Sequence, residues 1–515
     1  MSDWEQYFDK ILCEENTNDN KDKYSHYYYF NARNKCYTNS PVIYTYRNKN
    51  VIELENDLPM PPTNSFEYMF YGCKSLKNID SLQKWDTSNV IIMSHMFHSC
   101  KSLENIDALM NWNTSNVVIM RSIFYNCNSL ENINGLQNWN MSNVVIMRSM
   151  FYNCESLEKI DGLHNWNTIS LVDIGYLFYN CKTLSNIDGL SNWNISNVNI
   201  IRSMFYNCNL LSNIDGLSNW NISNVKDMGY IFYGCKSLTS IDALKNWNTI
   251  CAEDMSHMFY NCESLSNIDA LKNWNIICAE DIGHLFYGCK SLSNIDSLMI
   301  WNTNNVKNMS HLFYNCETLS NIDSLANWDT SNVKNMSHLF YNCVSLLNID
   351  SLVNWDTSNV GIMRSTFYNC ESLSNINALI IWNTTRIFDT SYMFYKCKSL
   401  LNIDSLKFWD TRNVNNMRSM FYGCKSLTSI DVLKNWDTNN VDNILNMFYG
   451  CSSLSTYPKD LDEFKSFTAK NMNDFCMQSD KLEMFVCNFF EVAEELPNKQ
   501  DIIPNWDGVK IPSWI

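Results

Sequence analysis

Cysteine recurs along this chain at a constant step of 27 residues. Phe stands three residues before each of these cysteines and Leu three after, and Trp follows twelve residues later in all fourteen complete repeats. An uninterrupted period of this size indicates stacked repeats, in which each repeat buries its apolar face against its neighbours. This cysteine column comprises Cys73, Cys100, Cys127, Cys154, Cys181, Cys208, Cys235, Cys262, Cys289, Cys316, Cys343, Cys370, Cys397, Cys424 and Cys451.

Apolar residues within a repeat are spaced by three. A long α-helix or a long strand would not keep this step on one face, whereas a coil of short segments would. Twenty-seven residues also fall in the 20–29 range of leucine-rich repeats. The fold class predicted is therefore α/β, a solenoid of about 14 repeats of 27 residues. The first repeat shows the spacing at Phe70, Cys73, Leu76, Ile79, Leu82 and Trp85.

The elements of one repeat can be placed from its polar pattern. We predict a strand over residues 76–81, with Ile79 and Ser81 inside and Asn78 and Asp80 outside. Position 81 is almost always Ser, Ala or Gly in other repeats, which indicates close approach of neighbouring backbones. A short helical turn is expected over residues 93–100, and the Asn89 position is interpreted as an inward backbone cap.

Two stretches carry a family resemblance, "WDTSNVIIMSHMFHSCKSLENID" at 85–107 and "WDTSNVKNMSHLFYNCVSLLNID" at 328–350. They resemble the repeats of BspA-like leucine-rich-repeat surface proteins. The resemblance covers about residues 66–455 and implies a right-handed solenoid with a parallel sheet on its concave face. It also implies adhesion or protein recognition, with no catalytic residues to carry over. The domains expected are an N-terminal cap at 1–65, the repeat solenoid at 66–455 and a C-terminal cap at 456–515.

Charge and hydropathy restrict the partners. A net charge of −16 argues against nucleic acid and favours a protein partner with a basic surface. No run of eighteen apolar residues occurs, so membrane insertion is not expected. Without an export signal the sequence predicts a soluble, cytoplasmic protein, whereas the family resemblance implies association with a cell surface or a virion. The sequence does not predict an oligomeric state.

The cysteine column could in principle hold metal, disulfides or core packing. Metal-binding thiolates usually occur in pairs two to four residues apart, whereas the nearest pairs here, such as Cys251 and Cys262, are eleven apart. Side chains stacked in parallel rarely adopt the dihedral angle of a disulfide. Burial of free thiols as small apolar groups is therefore the favoured interpretation. We expect no metal and no cofactor.

An aspartate row is the first candidate interaction surface. If successive strands are in register, its carboxylates lie about 4.8 Å apart, so bound cations, Asn side chains or a basic partner must offset their repulsion. So many equivalent carboxylates do not offer the two unlike environments of an acid–base pair, and no enzyme is predicted. We assign five members to a concave acidic column: Asp242, Asp269, Asp296, Asp323 and Asp350.

A histidine column, His257, His284, His311 and His338, offers a possible metal site or pH sensor. Because this position exchanges with Tyr and Ser in other repeats, a structural role is the favoured interpretation.

Apolar departures from the repeat form the second candidate surface. Contiguous exposed apolar residues usually mark an interaction site. The function predicted is a non-enzymatic scaffold that binds a protein partner through the solenoid surface. The alternative is a surface-associated or particle-associated adhesion or structural protein that acts by multivalent contacts. The predicted partner-binding residues are Met299, Ile300, Val353, Ile380, Ile381 and Phe408.

Overall fold

The computed structural model describes residues 5–11 and 43–454. The chain forms two compact units, Met1–Ser237 and Leu238–Ile515. In each unit the backbone winds into stacked coils of 27 residues, which confirms the predicted leucine-rich-repeat solenoid. The handedness and the concave face stay predictions, and the C-terminal cap predicted at 456–515 lies outside the described residues. Among the described residues, no helix has both the length and the apolar character needed to cross a membrane.

Each coil carries one short 3-10 helix that begins at the aspartate position. An Asn two residues earlier accepts the first backbone N–H, as in the 2.6 Å bond from Asp107 N to Asn105 Oδ1. In unit Met1–Ser237 these helices are Asp80–Lys84, Asp107–Leu109, Asn134–Leu136, Asp161–Leu163, Asp188–Leu190 and Asp215–Leu217. In unit Leu238–Ile515 they are Asp242–Leu244, Asp269–Asn273, Asp296–Leu298, Asp323–Leu325, Asp350–Asn354, Asn377–Ile381, Asp404–Phe408 and Asp431–Asn435.

The strand predicted over residues 76–81 is reduced to single-residue parallel bridges at the Asn78 position, such as Glu53 to Asn78. Ile79 and Ser81 are buried and Asn78 and Asp80 exposed, as expected, but Asp80 already begins a helix. The parallel sheet is reduced to single-residue bridges between successive coils, such as Ile92 to Ile119.

Backbone pairing between coils is concentrated instead where a helical turn was predicted, over residues 93–100. Successive N–H groups at residues 93, 95, 97 and 99 donate to carbonyls of the next coil over 2.6–3.0 Å. This pairing is a parallel ladder, interrupted by tight turns within each coil.

Left-handed backbone makes those turns. His95 and Ser99 have φ values of 57° and 63°, and the same two positions are left-handed in the coils that follow. The second position directly precedes the cysteine and is usually Asn or Gly, the residues that tolerate this conformation best. The Asn or Gly in "FYNC" and "FYGC" is thus the sequence feature that indicates this turn.

The cysteine column is buried core in both units, and none of its described members forms a disulfide. Most members donate Sγ–H to the carbonyl of the Phe thirty residues earlier, in the preceding coil, over 3.1–3.3 Å. Burial raises the pKa of these thiols, well above the usual range at Cys289 and Cys316. They are unreactive packing groups that also bond neighbouring coils together.

The tryptophan column uses the same geometry. Trp112 donates its indole Nε1–H to the carbonyl of Leu82 over 2.9 Å, and Trp301 donates to Leu271 over 3.0 Å. Both rings are buried and stack on the next Trp in the column, at centroid separations of 6.5 Å for Trp112 and 6.1 Å for Trp301. Trp is therefore required for its N–H as well as for its apolar area.

Two antiparallel strands precede the coils, β1 (Phe8–Ile11) and β2 (Ile43–Tyr46). Phe8 is buried, and its ring centroid lies 6.3 Å from that of Phe70 and 6.3 Å from that of Trp85. Tyr46 N donates to the carbonyl of Met69 over 2.6 Å. The strands thus cover the first members of the Phe and Trp columns.

The small-residue position is where neighbouring coils come closest. A Cβ added at Gly189 would lie 2.2 Å from the carbonyl oxygen of Ile160 in the preceding coil. We expect Gly189→Ala to lower the free energy of unfolding by about 1–3 kcal/mol, because the backbones must separate to admit the methyl group. Urea denaturation of the purified protein measures this loss.

Ser324→Ala is the matched control at the same position of another coil. The Ser324 hydroxyl is buried and has no hydrogen-bond partner, so its removal is expected to be neutral or stabilising. Equal destabilisation by the two substitutions would contradict a steric role for the glycine.

Candidate interaction surfaces

The predicted apolar residues are exposed on the 3-10 helices of unit Leu238–Ile515 or, for Met299 and Ile300, directly after one. Ile300, Ile381 and Phe408 expose 67%, 63% and 69% of their surface. Met299, Val353 and Ile380 are also exposed. In most coils the position of Ile300, Ile381 and Phe408 holds Asn. These three coils therefore expose a large apolar side chain where other coils have an amide.

The structure brings four of the six residues together. Val353 and Ile380 occupy the same position in consecutive coils, as do Ile381 and Phe408, on adjoining helices. These four residues are called the apolar patch below. Met299 and Ile300 are separated from it by a coil that presents Ala326 and Asn327.

Other exposed apolar residues lie in the same coils. Leu347 and Leu401 expose 56% and 54% of their surface, five residues or fewer from the start of a helix that carries the apolar patch. Phe388 is a further exposed apolar residue that was not predicted from the sequence. It exposes 44% of its surface, and its backbone N–H donates to the carbonyl of Gly361 over 3.0 Å. Its signal was an aromatic ring at a position that holds polar or aliphatic residues in other coils.

The five predicted aspartates are all exposed, one at the first position of each 3-10 helix. Asn side chains of the next coil donate to two of them, which is one of the three expected ways to offset their repulsion. Asn375 Nδ2 donates to Asp350 across consecutive coils over 3.1 Å, and Asn267 donates to Asp242 over 3.2 Å. The acidic column is thus compatible with the fold without any bound cation.

The four histidines form a stack of imidazole rings. Neighbouring centroids are 4.2–4.3 Å apart and the ring planes lie within 10° of parallel. Parallel rings cannot point their nitrogen lone pairs at one shared ion. Among the residues that the structure describes, no group of three or more His, Cys, Asp or Glu side chains is placed to hold a metal.

Burial keeps this stack neutral. It lowers the pKa of His311 to about 3, with a further contribution from neighbouring His338. It also lowers the pKa of His338 to about 4, with Arg364 acting in the same direction, and lowers that of His284 against the opposing charge of Asp281. The Nδ1 atoms of His284, His311 and His338 are buried without a hydrogen-bond partner.

Acid should therefore destabilise the fold through this stack. Unfolded His titrates near pH 6.5, above the folded pKa values, so the unfolded state binds protons first as pH falls. The contribution of the stack to the free energy of unfolding is complete above about pH 6.5 and declines toward pH 4. We expect the melting temperature of the double variant His311→Tyr/His338→Tyr to fall less between pH 7 and 4.5 than that of the wild type.

Tyr stands at the same left-handed position in Tyr230 and Tyr392, so the backbone accepts it. His164→Ser, at an exposed histidine outside the stack, is the control and should follow the wild type. Identical pH profiles for the wild type and the double variant would contradict the role of the stack.

Several solved structures of leucine-rich-repeat proteins are similar to this chain. One from Bacteroides ovatus is 19% identical, covers 84% of this chain and 94% of its own, and has a TM-score of 0.32. A leucine-rich cell surface protein from Faecalibacterium prausnitzii is 16% identical, with 82% and 92% of the two chains covered and a TM-score of 0.32. These superpositions are loose, and the fold assignment rests on the coils themselves.

No curated protein matches the chain. One family matches in four consecutive segments, 64–187, 172–298, 281–381 and 374–489, which together span the repeats. The chain belongs to the family described as "Mycoplasma protein of unknown function, DUF285".

Proposed function

We propose that this protein is a non-enzymatic recognition scaffold of the BspA-like type, which binds a protein partner through the outer surface of unit Leu238–Ile515. The observation that carries the proposal is the apolar patch, Val353, Ile380, Ile381 and Phe408, exposed on consecutive coils. A contiguous apolar surface of this kind costs solubility and usually marks a binding site.

The surroundings of the apolar patch fit a protein partner. Lys407 Nζ lies 5.6 Å from the centroid of the Phe408 ring, and the exposed carboxylates Asp350 and Asp404 begin two of the same helices. An aromatic and aliphatic centre with a charged rim is the usual composition of a protein interface. The excess of acidic groups favours a partner with a basic rim.

Adhesion is the second candidate function. Its support is the resemblance of the repeats to BspA-like surface proteins. The sites Asn113, Asn140 and Asn194 each begin an Asn-x-Ser/Thr sequence and are exposed. They would carry glycans if the protein passed through an endoplasmic reticulum, so the intact mass of the native protein distinguishes the two routes.

The domain boundaries are part of the proposal. We assign residues 1–65 to an N-terminal cap because Phe8 and Tyr46 contact Phe70, the first member of the Phe column. The repeats at 66–455 form the binding body, and residues 456–515 are proposed as a C-terminal cap. A solenoid needs both ends covered, because a terminal coil would otherwise expose its core.

Restoring the common Asn at two patch positions should abolish partner capture. We expect Ile381→Asn/Phe408→Asn to reduce recovery of a specific partner from a lysate of the source cell at least tenfold, since exposed apolar anchors at an interface often carry 2 kcal/mol or more. The measurement is quantitative mass spectrometry of the captured proteins, after circular dichroism shows that the variant folds like the wild type.

Leu210→Ser is the matched control, because it restores the common residue at an exposed apolar position in the other unit. It should leave capture unchanged. Full retention of every partner by the patch variant would overturn the assignment of the apolar patch.

The acidic column should contribute mainly to the rate of association. Asp296→Asn/Asp323→Asn introduces the residue found naturally at Asn134 and Asn377. With the captured partner, we expect a slower association rate at low salt and convergence with the wild type at high salt, because salt screens exposed charges. Surface plasmon resonance measures both rates. An equal effect at all salt concentrations would argue against long-range attraction.

A further inference from the structure

Cys251 and Cys278 differ from every cysteine of the buried column. Cys251 is partly exposed and Cys278 is exposed. They lie 27 residues apart, at the same position of two consecutive coils in unit Leu238–Ile515. Both are preceded by an exposed isoleucine, Ile250 and Ile277, where most coils have a polar residue. Two adjacent coils thus present the same "Ile-Cys" pair to solvent.

Leucine-rich repeats accept Asn or Cys at this position, but here the structure leaves Cys278 exposed and Cys251 partly exposed. The position normally holds Asn, whose Nδ2–H donates to a carbonyl of the preceding coil, as in the 2.7 Å bonds from Asn305 to Ile277 and from Asn332 to Asn304. A thiol is a weaker hydrogen-bond donor than an amide. The two coils therefore have solvent-accessible thiols where other coils have a strong hydrogen bond between coils.

The backbone holds the two residues in register. Glu280 N donates to the carbonyl of Glu253 over 3.3 Å, and Asp254 pairs with Asp281 in a parallel bridge. These contacts lie two and three residues beyond the cysteines, so Cys251 and Cys278 face each other across adjacent coils. Paired strands lie about 4.8 Å apart, which falls within the Cα separation of 4.4–6.8 Å that a disulfide requires.

We propose that Cys251 and Cys278 form a redox-active dithiol site, which closes to a disulfide between consecutive coils by exchange with a small-molecule disulfide. Because these side chains are at the surface, they can rotate to the required dihedral angle. The buried column cannot, since packing fixes its side chains and Cys289 Sγ–H is bonded to the carbonyl of Phe259 at 3.2 Å.

The exchange proceeds in two balanced steps. The thiolate of exposed Cys278 attacks one sulfur of the small disulfide, which breaks its S–S bond and releases one thiolate. The thiolate of Cys251 then attacks the Cys278 sulfur of the mixed disulfide, forms the protein S–S bond and releases the second thiolate. The two protein thiols are oxidised, the small disulfide is reduced, and the two protons pass to the released thiols through water.

The closed form would covalently join two coils that are otherwise held by backbone bonds and packing. A disulfide stabilises by restricting the unfolded chain, and here it closes a loop of one repeat. The site would thus make the stability of unit Leu238–Ile515 depend on the redox state of its surroundings. This inference is independent of the proposed partner binding.

The test uses the full-length folded protein and oxidised glutathione. After incubation, free thiols are blocked with N-ethylmaleimide before the protein is denatured and digested, and the peptides are mapped by mass spectrometry. We expect a peptide pair linked through Cys251 and Cys278. Cys262 and Cys289, buried in the same two coils, are internal controls and should not be linked.

The variant Cys278→Asn restores the common residue of this position. In this variant, Cys251 should be found as a glutathione adduct or a free thiol. Oxidation should raise the melting temperature of the wild type but not that of the variant. Separate glutathione adducts on both wild-type cysteines, unreacted thiols at both, or linkage only between two protein molecules would overturn the proposal.

Discussion

Side-chain donors that reach into the preceding coil hold this protein together. The indole N–H of Trp and the thiol of Cys each donate to a backbone carbonyl thirty residues earlier, one repeat plus three residues. Asn adds a comparable bond to the preceding coil nearer the surface, as from Asn116 Nδ2 to Ser88 O. Buried Thr donates in the other direction, as from Thr114 Oγ1 to Asn140 O in the next coil. Each carbonyl accepts at a fixed offset, so a coil of another length would break several bonds at once. This geometry explains why the repeat contains no insertion.

A fixed interior leaves the outer positions to vary. The Phe, Cys, Leu and Trp columns are buried in coil after coil, so substitutions there would open cavities or leave carbonyls with fewer donors. Outward positions bear no such constraint, and unit Leu238–Ile515 uses them for two unlike surfaces. One is the row of exposed aspartates stabilised by Asn, and the other is the apolar patch that includes Ile381 and Phe408. The departures from the repeat are therefore where we propose that the partner binds.

The left-handed turns and the imidazole stack show how one position combines backbone and side-chain demands. His257, His284, His311 and His338 have φ values of 57° to 60°, a conformation costly for most residues with a side chain. Stacking of the rings at 4.2–4.3 Å offsets part of that cost. The same burial that permits stacking disfavours protonation, so packing in these coils is tied to pH.

The sequence by itself determined the period, the identity of the core columns and the outward position of Asp80, Ile381 and Phe408, because a strict repeat shows which positions never change. It could not determine where most of the backbone pairing occurs: the longer ladder lies at residues 91–99, and pairing within 76–81 is limited to bridges at the Asn78 position. Apolar spacing reports which side chains are inside, whereas pairing depends on φ values and on the distance between coils. Only the tertiary structure placed Val353, Ile380, Ile381 and Phe408 on one surface and Cys251 beside Cys278, because residues 27 apart become neighbours only when the coils stack.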